Sequence, residues 1–295
     1  MAFLVCAPSS ALPQNAVGPP QTRTYRTVDG RALEAHVFQP PSRQRQKVNA
    51  VLLFHGGGWS AGAPEWTFET ARRFADAGLV AIAVQYRLSE NTVTPIDALD
   101  DVCAAFAWAR AQSDQLGITD RLIGHGVSAG GHLVAATVTV GCPQDRDGQR
   151  SGPDVLLLWS PALDLARDGW FRGLLQGQAP VSAYSPVEHV SSSTPPTSIV
   201  IGDKDTLTPL SESRRFCDRL LAVGGVCELN VYPGVGHLLT RNLQNQESDF
   251  DPDPTARADG IARHIEFLRM LHLLPRLDVE PPGAAPIDAL KGSSP

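Results

Sequence analysis

The residues best placed to do chemistry lie in Leu122–Leu133, which reads LIGHGVSAGGHL. A short apolar approach (Ile118, Leu122, Ile123) runs into Gly126-Val127-Ser128-Ala129-Gly130, and an Ala/Val/Leu/Thr run follows. That order predicts a strand, a sharp turn and a helix, with Ser128 on the turn. Small neighbours allow the strained dihedrals that hold a hydroxyl clear of both elements. The first turn of the helix has unpaired N–H groups and a positive dipole end, which favour negative charge developing beside the serine. A serine nucleophile for acyl transfer needs these features, and the pentapeptide fits the G-x-S-x-G elbow. Five residues alone are weak evidence, so the flanking sequence must support them.

A serine hydroxyl attacks poorly until a base accepts its proton. Of the eight histidines, His237 stands in a glycine-flanked turn, Pro233-Gly234-Val235-Gly236-His237, directly after the last expected strand. From there an imidazole can reach across to Ser128. His36 lies in an early strand, His189 in an irregular stretch, and His264 and His272 on the terminal helix. His55 and His132 sit close to the serine but belong to a glycine loop and the serine's helix, where structural hydrogen bonding is the expected use. His125 precedes the elbow on the same strand. The base needs a carboxylate to fix its tautomer. Asp203 and Asp205 both follow the penultimate strand; Asp205 is preferred because it lies further out toward His237, and Asp203 suits a turn cap. Three consecutive glycines in His55-Gly56-Gly57-Gly58-Trp59 are costly in backbone entropy. Their expected use is to bring bare N–H groups up to a substrate oxyanion.

The elements that must position these residues alternate. Thr24–Val28 and Leu33–Phe38 are expected to form a hairpin across Asp29-Gly30. Ala50–Phe54, Leu79–Val84, Asp154–Trp159 and Ser198–Ile201 are apolar enough for buried parallel strands, and Val226–Tyr232 adds another. Helices are expected at Glu65–Ala77, Pro95–Ala111, Ala129–Val140, Ser211–Ala222 and Thr255–Leu274. The pattern predicts an α/β fold, a mostly parallel central sheet with helices on both faces. Loops at the carboxyl ends of such strands meet on one rim, where ligands bind. His55, Ser128, Asp205 and His237 all follow strands, so they can converge. Residues 160–194 break the rhythm; they are expected to form either a lid-like insert over the site or a surface excursion. Residues 242–254 are polar and acidic and are expected to be mobile. A single domain is expected over 23–274, with a Pro/Ala/Ser-rich leader at 1–22 and a tail at 275–295.

With 42% hydrophobic and 19% charged residues the composition is that of a globular protein. The net charge of −6, with no basic run to offset it, argues against nucleic acid or an anionic membrane surface as a partner. The longest apolar run is far too short to span a bilayer. The first residues have a short apolar core but no positive start, which fits a trimmed signal or a plain leader, so cytoplasmic and exported locations both stay open. Five cysteines make no disulfide scaffold. Cys103/Cys142 and Cys217/Cys227 could pair in an exported chain or remain buried thiols. No Cys/His spacing resembles a metal site, and no cofactor is implied.

Taken with their order, HGGGW at 55–59, YRL at 86–88, GVSAGGHL at 126–133, GDKDTLTP at 202–209 and GH at 236–237 make the chain resemble an α/β-hydrolase esterase. It is similar to the hormone-sensitive-lipase-like branch and to bacterial acetyl-xylan and feruloyl-type esterases. The resemblance covers roughly residues 50–270. It implies Ser128 as nucleophile, Asp205 as acid, His237 as base, and the N–H groups of Gly57, Gly58 and Ala129 as oxyanion hole. Val127 and Ser89-Glu90-Asn91 depart from the GDSAGG and YRLAPE patterns of the lipase-like branch, which leaves branch and substrate open. The expected activity is hydrolysis of short acyl or aryl esters of a small-molecule substrate, with Trp59 and Trp66 lining the pocket. Polysaccharide deacetylation or feruloyl release is an alternative. A serine peptidase of similar fold is less favoured, with no propeller-sized segment in the 295 residues. A catalytically dead scaffold would be expected to lack triad members. The natural ester and the oligomeric state are not legible.

Overall fold

The computed structural model describes residues 17–41, 46–143, 145 and 151–275. The expected leader up to residue 16 and the tail after residue 275 lie outside the described residues. Gln21–Val28 (β1) and Arg31–Phe38 (β2) form the expected hairpin, and β1 starts a little earlier than Thr24. Asp29 and Gly30 turn it at φ 49° and 78°, the left-handed pair that matches the twist of the flanking strands. Val48–Phe54 (β3) leads through a short 3₁₀ turn at Pro64–Thr67 into Phe68–Asp76 (α1), then Val80–Val84 (β4). Pro95–Ala111 (α2) begins on a capping box: Thr94 accepts from the Ile96 amide while Asp97 accepts from the Thr94 amide.

Ser113–Leu116 (α3) is a single turn stopped by left-handed Gly117, and Ile118–Val127 (β5) runs straight to Ser128. After it come Ala129–Thr139 (α4), Val155–Trp159 (β6) and Gly169–Leu174 (α5). The chain ends with Thr197–Gly202 (β7), Leu210–Ala222 (α6), Cys227–Tyr232 (β8) and Pro254–Met270 (α7).

The eight strands form one sheet in the order β1-β2-β4-β3-β5-β6-β7-β8, antiparallel at the hairpin edge and parallel from β4 to β8. This is the α/β-hydrolase fold. Strand alternation divides the core. Leu52 and Phe54 pack with Phe106 of α2, Leu133 and Val134 of α4 and Phe216 of α6. Val51 and Leu53 pack on the other face with Phe74 of α1 and Phe267 and Leu268 of α7. A parallel sheet buried on both faces needs strands that are apolar throughout, and β3, β4, β6 and β7 are nearly so. Cys103 of α2 is disulfide-bonded to Cys142 just beyond α4, and Cys217 of α6 to Cys227 at the start of β8.

Candidate active site

Ser128 sits where β5 meets α4, at φ 51° and ψ −117°. A non-glycine residue is strained there, and the surrounding backbone holds it. The Ser128 amide donates to the Trp159 carbonyl at 2.9 Å, and its carbonyl accepts from the His132 amide at 3.1 Å. The neighbouring glycines are required by contact. A Cβ at Gly126 would lie 2.4 Å from the Gly130 carbonyl, and one at Gly130 would lie 2.4 Å from the carbonyls of Phe54 and His55. The end of β3 and the first turn of α4 therefore touch backbone to backbone.

That contact brings the glycine loop to the serine. A Cβ on Gly56 would be 3.2 Å from the Ser128 Cβ. Gly57 and Gly58 follow at φ 108° and 57°, conformations that favour glycine. Two side chains identified only through the YRL resemblance explain the loop's support. The Tyr86 hydroxyl donates to the His55 carbonyl at 2.8 Å, and its ring stacks on the His55 imidazole. The Arg87 guanidinium makes two bonds to the buried Asp101 carboxylate, at 2.8 and 3.0 Å, and its amide a third at 3.0 Å, which fastens this segment to α2. Burial lowers the His55 pKa to about 4, so this ring is neutral and structural.

His237 comes to the serine from the turn after β8. Its Nε2 is 3.0 Å from the Ser128 Oγ, and its Nδ1 is 2.9 Å from Asp205 Oδ2 and 3.1 Å from Oδ1. Asp205 is buried and also accepts from the Leu207 and Thr208 amides and the Thr208 hydroxyl. These bonds fix the direction of the carboxylate. Asp203 instead accepts from the Gly234 amide at 2.7 Å, the turn-capping use weighed for it. Close by on α6, burial and then the charge of Asp164 push the Glu212 carboxyl up to about 8.

Several contributors were not legible beforehand. Ser160 accepts from the Leu238 amide through its hydroxyl, and its carbonyl oxygen lies 3.0 Å from Thr208 Oγ1. Residues 242–254, expected to be mobile, are instead tied down. Thr240 pairs with Pro252, Arg241 makes two bonds to Asp251, and Gln246 is buried between the loops that carry Asp205 and His237. A buried glutamine in a polar run gives no periodic signal.

The two tryptophans expected against substrate separate. Trp59 is 3% exposed; its indole N–H donates to His132 Nδ1 at 3.0 Å and its ring meets Phe171 edge-on. It braces the loop from within. Trp66 is 61% exposed and stands edge-on to His55. The 160–194 insert reaches the site through Trp170, whose indole N–H donates to the Gly58 carbonyl at 2.9 Å. Phe250 has its ring centroid 6.5 Å from that of His237. Among the described residues no group of three or more His, Cys, Asp or Glu could hold a metal ion. No described helix is long and apolar enough to cross a membrane.

Residues 51–176 match the model of the alpha/beta hydrolase fold family, and residues 160–251 match that of the prolyl oligopeptidase family. The chain is 31% identical over 218 residues to the esterase LipC of Mycobacterium tuberculosis, covering 65% of this chain and 53% of that one. It is 33% identical over 132 residues to an arylesterase of Saccharolobus solfataricus, covering 44% and 42%. The chain spans about half the length of the curated relatives it matches. Among solved structures, Thermogutta terrifontis esterase 2 phosphoramylated by tabun superposes with a TM-score of 0.77 at 29% identity, covering 88% of this chain and 97% of that one. The butyrate-bound form of the same esterase gives 0.77 at 28% identity, covering 88% and 96%. Sheet order, the serine elbow and these likenesses agree on one fold, that of the α/β hydrolases.

Proposed function

We propose that this protein is a serine carboxylesterase that cleaves short acyl or aryl esters of small molecules through an acyl-enzyme. The observation that carries the reading is the unbroken hydrogen-bond chain Ser128–His237–Asp205 beside a glycine loop. His237 Nε2 takes the Ser128 proton as Oγ attacks the ester carbonyl. Asp205 holds Nδ1–H and stabilises the imidazolium. The Gly57, Gly58 and Ala129 amides would receive the oxyanion, assisted by the positive end of α4. The alcohol leaves with the proton from His237. Water, activated by the same base, then frees the acid.

Trp66 against His55, Trp170 against Gly58 and Phe250 near His237 are exposed aromatics around the triad and glycine loop, which supports aryl or other flat ester components. The esterases among the relatives, and the propionate- and butyrate-bound forms of the Thermogutta enzyme, support a short acyl group. The buried position of Trp59 supports a bracing use rather than substrate contact. The prolyl oligopeptidase match over 160–251 favours peptide hydrolysis as a second reading. The two disulfides are compatible with an oxidising compartment.

A series of p-nitrophenyl esters from acetyl to palmitoyl, run beside acetylated xylan, methyl ferulate and a prolyl-p-nitroanilide peptide, tests the proposal. Highest kcat/KM on acetyl to butyryl esters is expected. Preference for palmitoyl, or turnover of the peptide alone, would overturn it. Paraoxon, which phosphorylates the Thermogutta esterase, should inactivate the wild type and leave Ser128→Ala unlabelled.

A further inference from the structure

We propose that Gln246 is a positioning residue that sets the alignment of Asp205 and His237; this rests on the triad reading above. Gln246 is 5% exposed, which is unusual for an amide side chain on a surface loop. Its carboxamide makes three bonds across two separate loops. Oε1 accepts from the His237 amide at 2.8 Å and from the Thr206 amide at 3.2 Å, while Nε2 donates to the Lys204 carbonyl at 2.9 Å. Lys204 and Thr206 flank the acid, and the His237 amide belongs to the base itself. One planar group therefore reads the backbone on both sides of Asp205 and the backbone of His237. These are the two loops whose relative position sets the 2.9 Å Asp205–His237 contact.

The fit is tight. A Cβ on Gly236 would lie 2.4 Å from Gln246 Cδ. Glycine there makes room for the amide plane. The segment that delivers Gln246 is closed at its base. The Arg241 amide donates to the Asp251 carbonyl, the Asp253 amide to the Leu239 carbonyl, and the Thr240 hydroxyl accepts from the Asp251 amide. The strap thus starts and ends beside His237 and inserts its one buried side chain between the loops that carry Asp205 and His237. A glutamine supplies both donor and acceptor without adding charge next to the Asp205–His237 pair. A glutamate could keep the two accepted bonds but would lose the donor and add a negative charge.

The test measures kcat, KM and pH profiles on p-nitrophenyl acetate for the wild type and for Gln246→Ala, Gln246→Glu, Gly236→Ala and the Gly236→Ala/Gln246→Ala double variant. His237→Ala is the control, and circular dichroism checks folding. Displacement of the base by about 1 Å predicts a fall in kcat on the order of 10²-fold for Gln246→Ala, with KM within about twofold. Gly236→Ala should reproduce that fall, and the double variant should be no worse than either single change. Gln246→Glu should recover part of kcat and move the acid limb of kcat/KM to higher pH, because the added charge stabilises the imidazolium. A folded Gln246→Ala with wild-type kcat, or additive losses in the double variant, would overturn the proposal. Wild-type turnover by His237→Ala would instead overturn the triad reading.

Discussion

Two histidines on this sheet stand in opposite circumstances. His237, on the rim, has a partner at each ring nitrogen: Asp205 at Nδ1 and Ser128 at Nε2. His125 lies on β5 three residues before the serine, yet it is buried against the α7 face with His264, and neither ring has a hydrogen-bond partner. Burial lowers the His125 pKa to about 4, and burial together with His125 lowers that of His264 well below the ordinary value. The difference teaches that nearness to Ser128 along the chain does not bring a histidine ring to its hydroxyl. The rim residue stands between a carboxylate and a hydroxyl, whereas the buried pair packs against Phe74 and Trp159.

Removing the rim partners should have the largest effect. Ser128→Ala and His237→Ala should each lower kcat by about 10⁴-fold or more while leaving the melting temperature within a few degrees. A loss below tenfold in stopped-flow or steady-state assays would end the distinction drawn between the two histidines. Gly57→Ala comes next. Its Cβ would lie 2.2 Å from the Ala61 carbonyl, so the loop must shift, and a loss of about 10²–10³-fold in kcat is expected.

The buried pair should dominate stability rather than turnover. A folded-state pKa below that of the unfolded chain means that the unfolded state binds more protons as pH falls. Stability present above about pH 6.5 is therefore lost progressively toward pH 4. His55 and His132, also lowered to about 4 by burial, act in the same direction. Urea unfolding across that range should show a decline of several kcal/mol. His264→Leu should flatten the decline without changing kcat at neutral pH; an unchanged slope would mean that the pair is protonated in the folded state. The smallest effect should come from Trp170→Phe, which removes the bond to Gly58 and keeps the ring. A change of a few-fold in kcat/KM, confined to bulky esters, is expected.

The sheet was legible because a strand buried on both faces must be apolar along its length, as β3, β4, β6 and β7 are. β5 was less so: Thr119, Asp120 and Arg121 interrupt its apolar run. The meeting of Ser128, His237 and Asp205 could be expected because each is a reactive side chain placed directly after a strand. Gln246, Ser160 and Thr208 could not, since their roles exist only where two distant loops meet. Trp59 shows the converse. An aromatic next to the glycine loop suggested substrate contact, but its ring is enclosed by His132 and Phe171.

Strand order also acts as a ruler. Ser128 leaves β5 and His237 leaves β8, three strands away, a lateral gap of about 14 Å at ordinary strand spacing. The five steps from Tyr232 to His237 can extend about 17 Å at most, and the left-handed Leu238 and Leu239 then reverse the chain. Little slack is left in that span, so shortening it by one residue should strand the imidazole short of the serine even with every other loop intact.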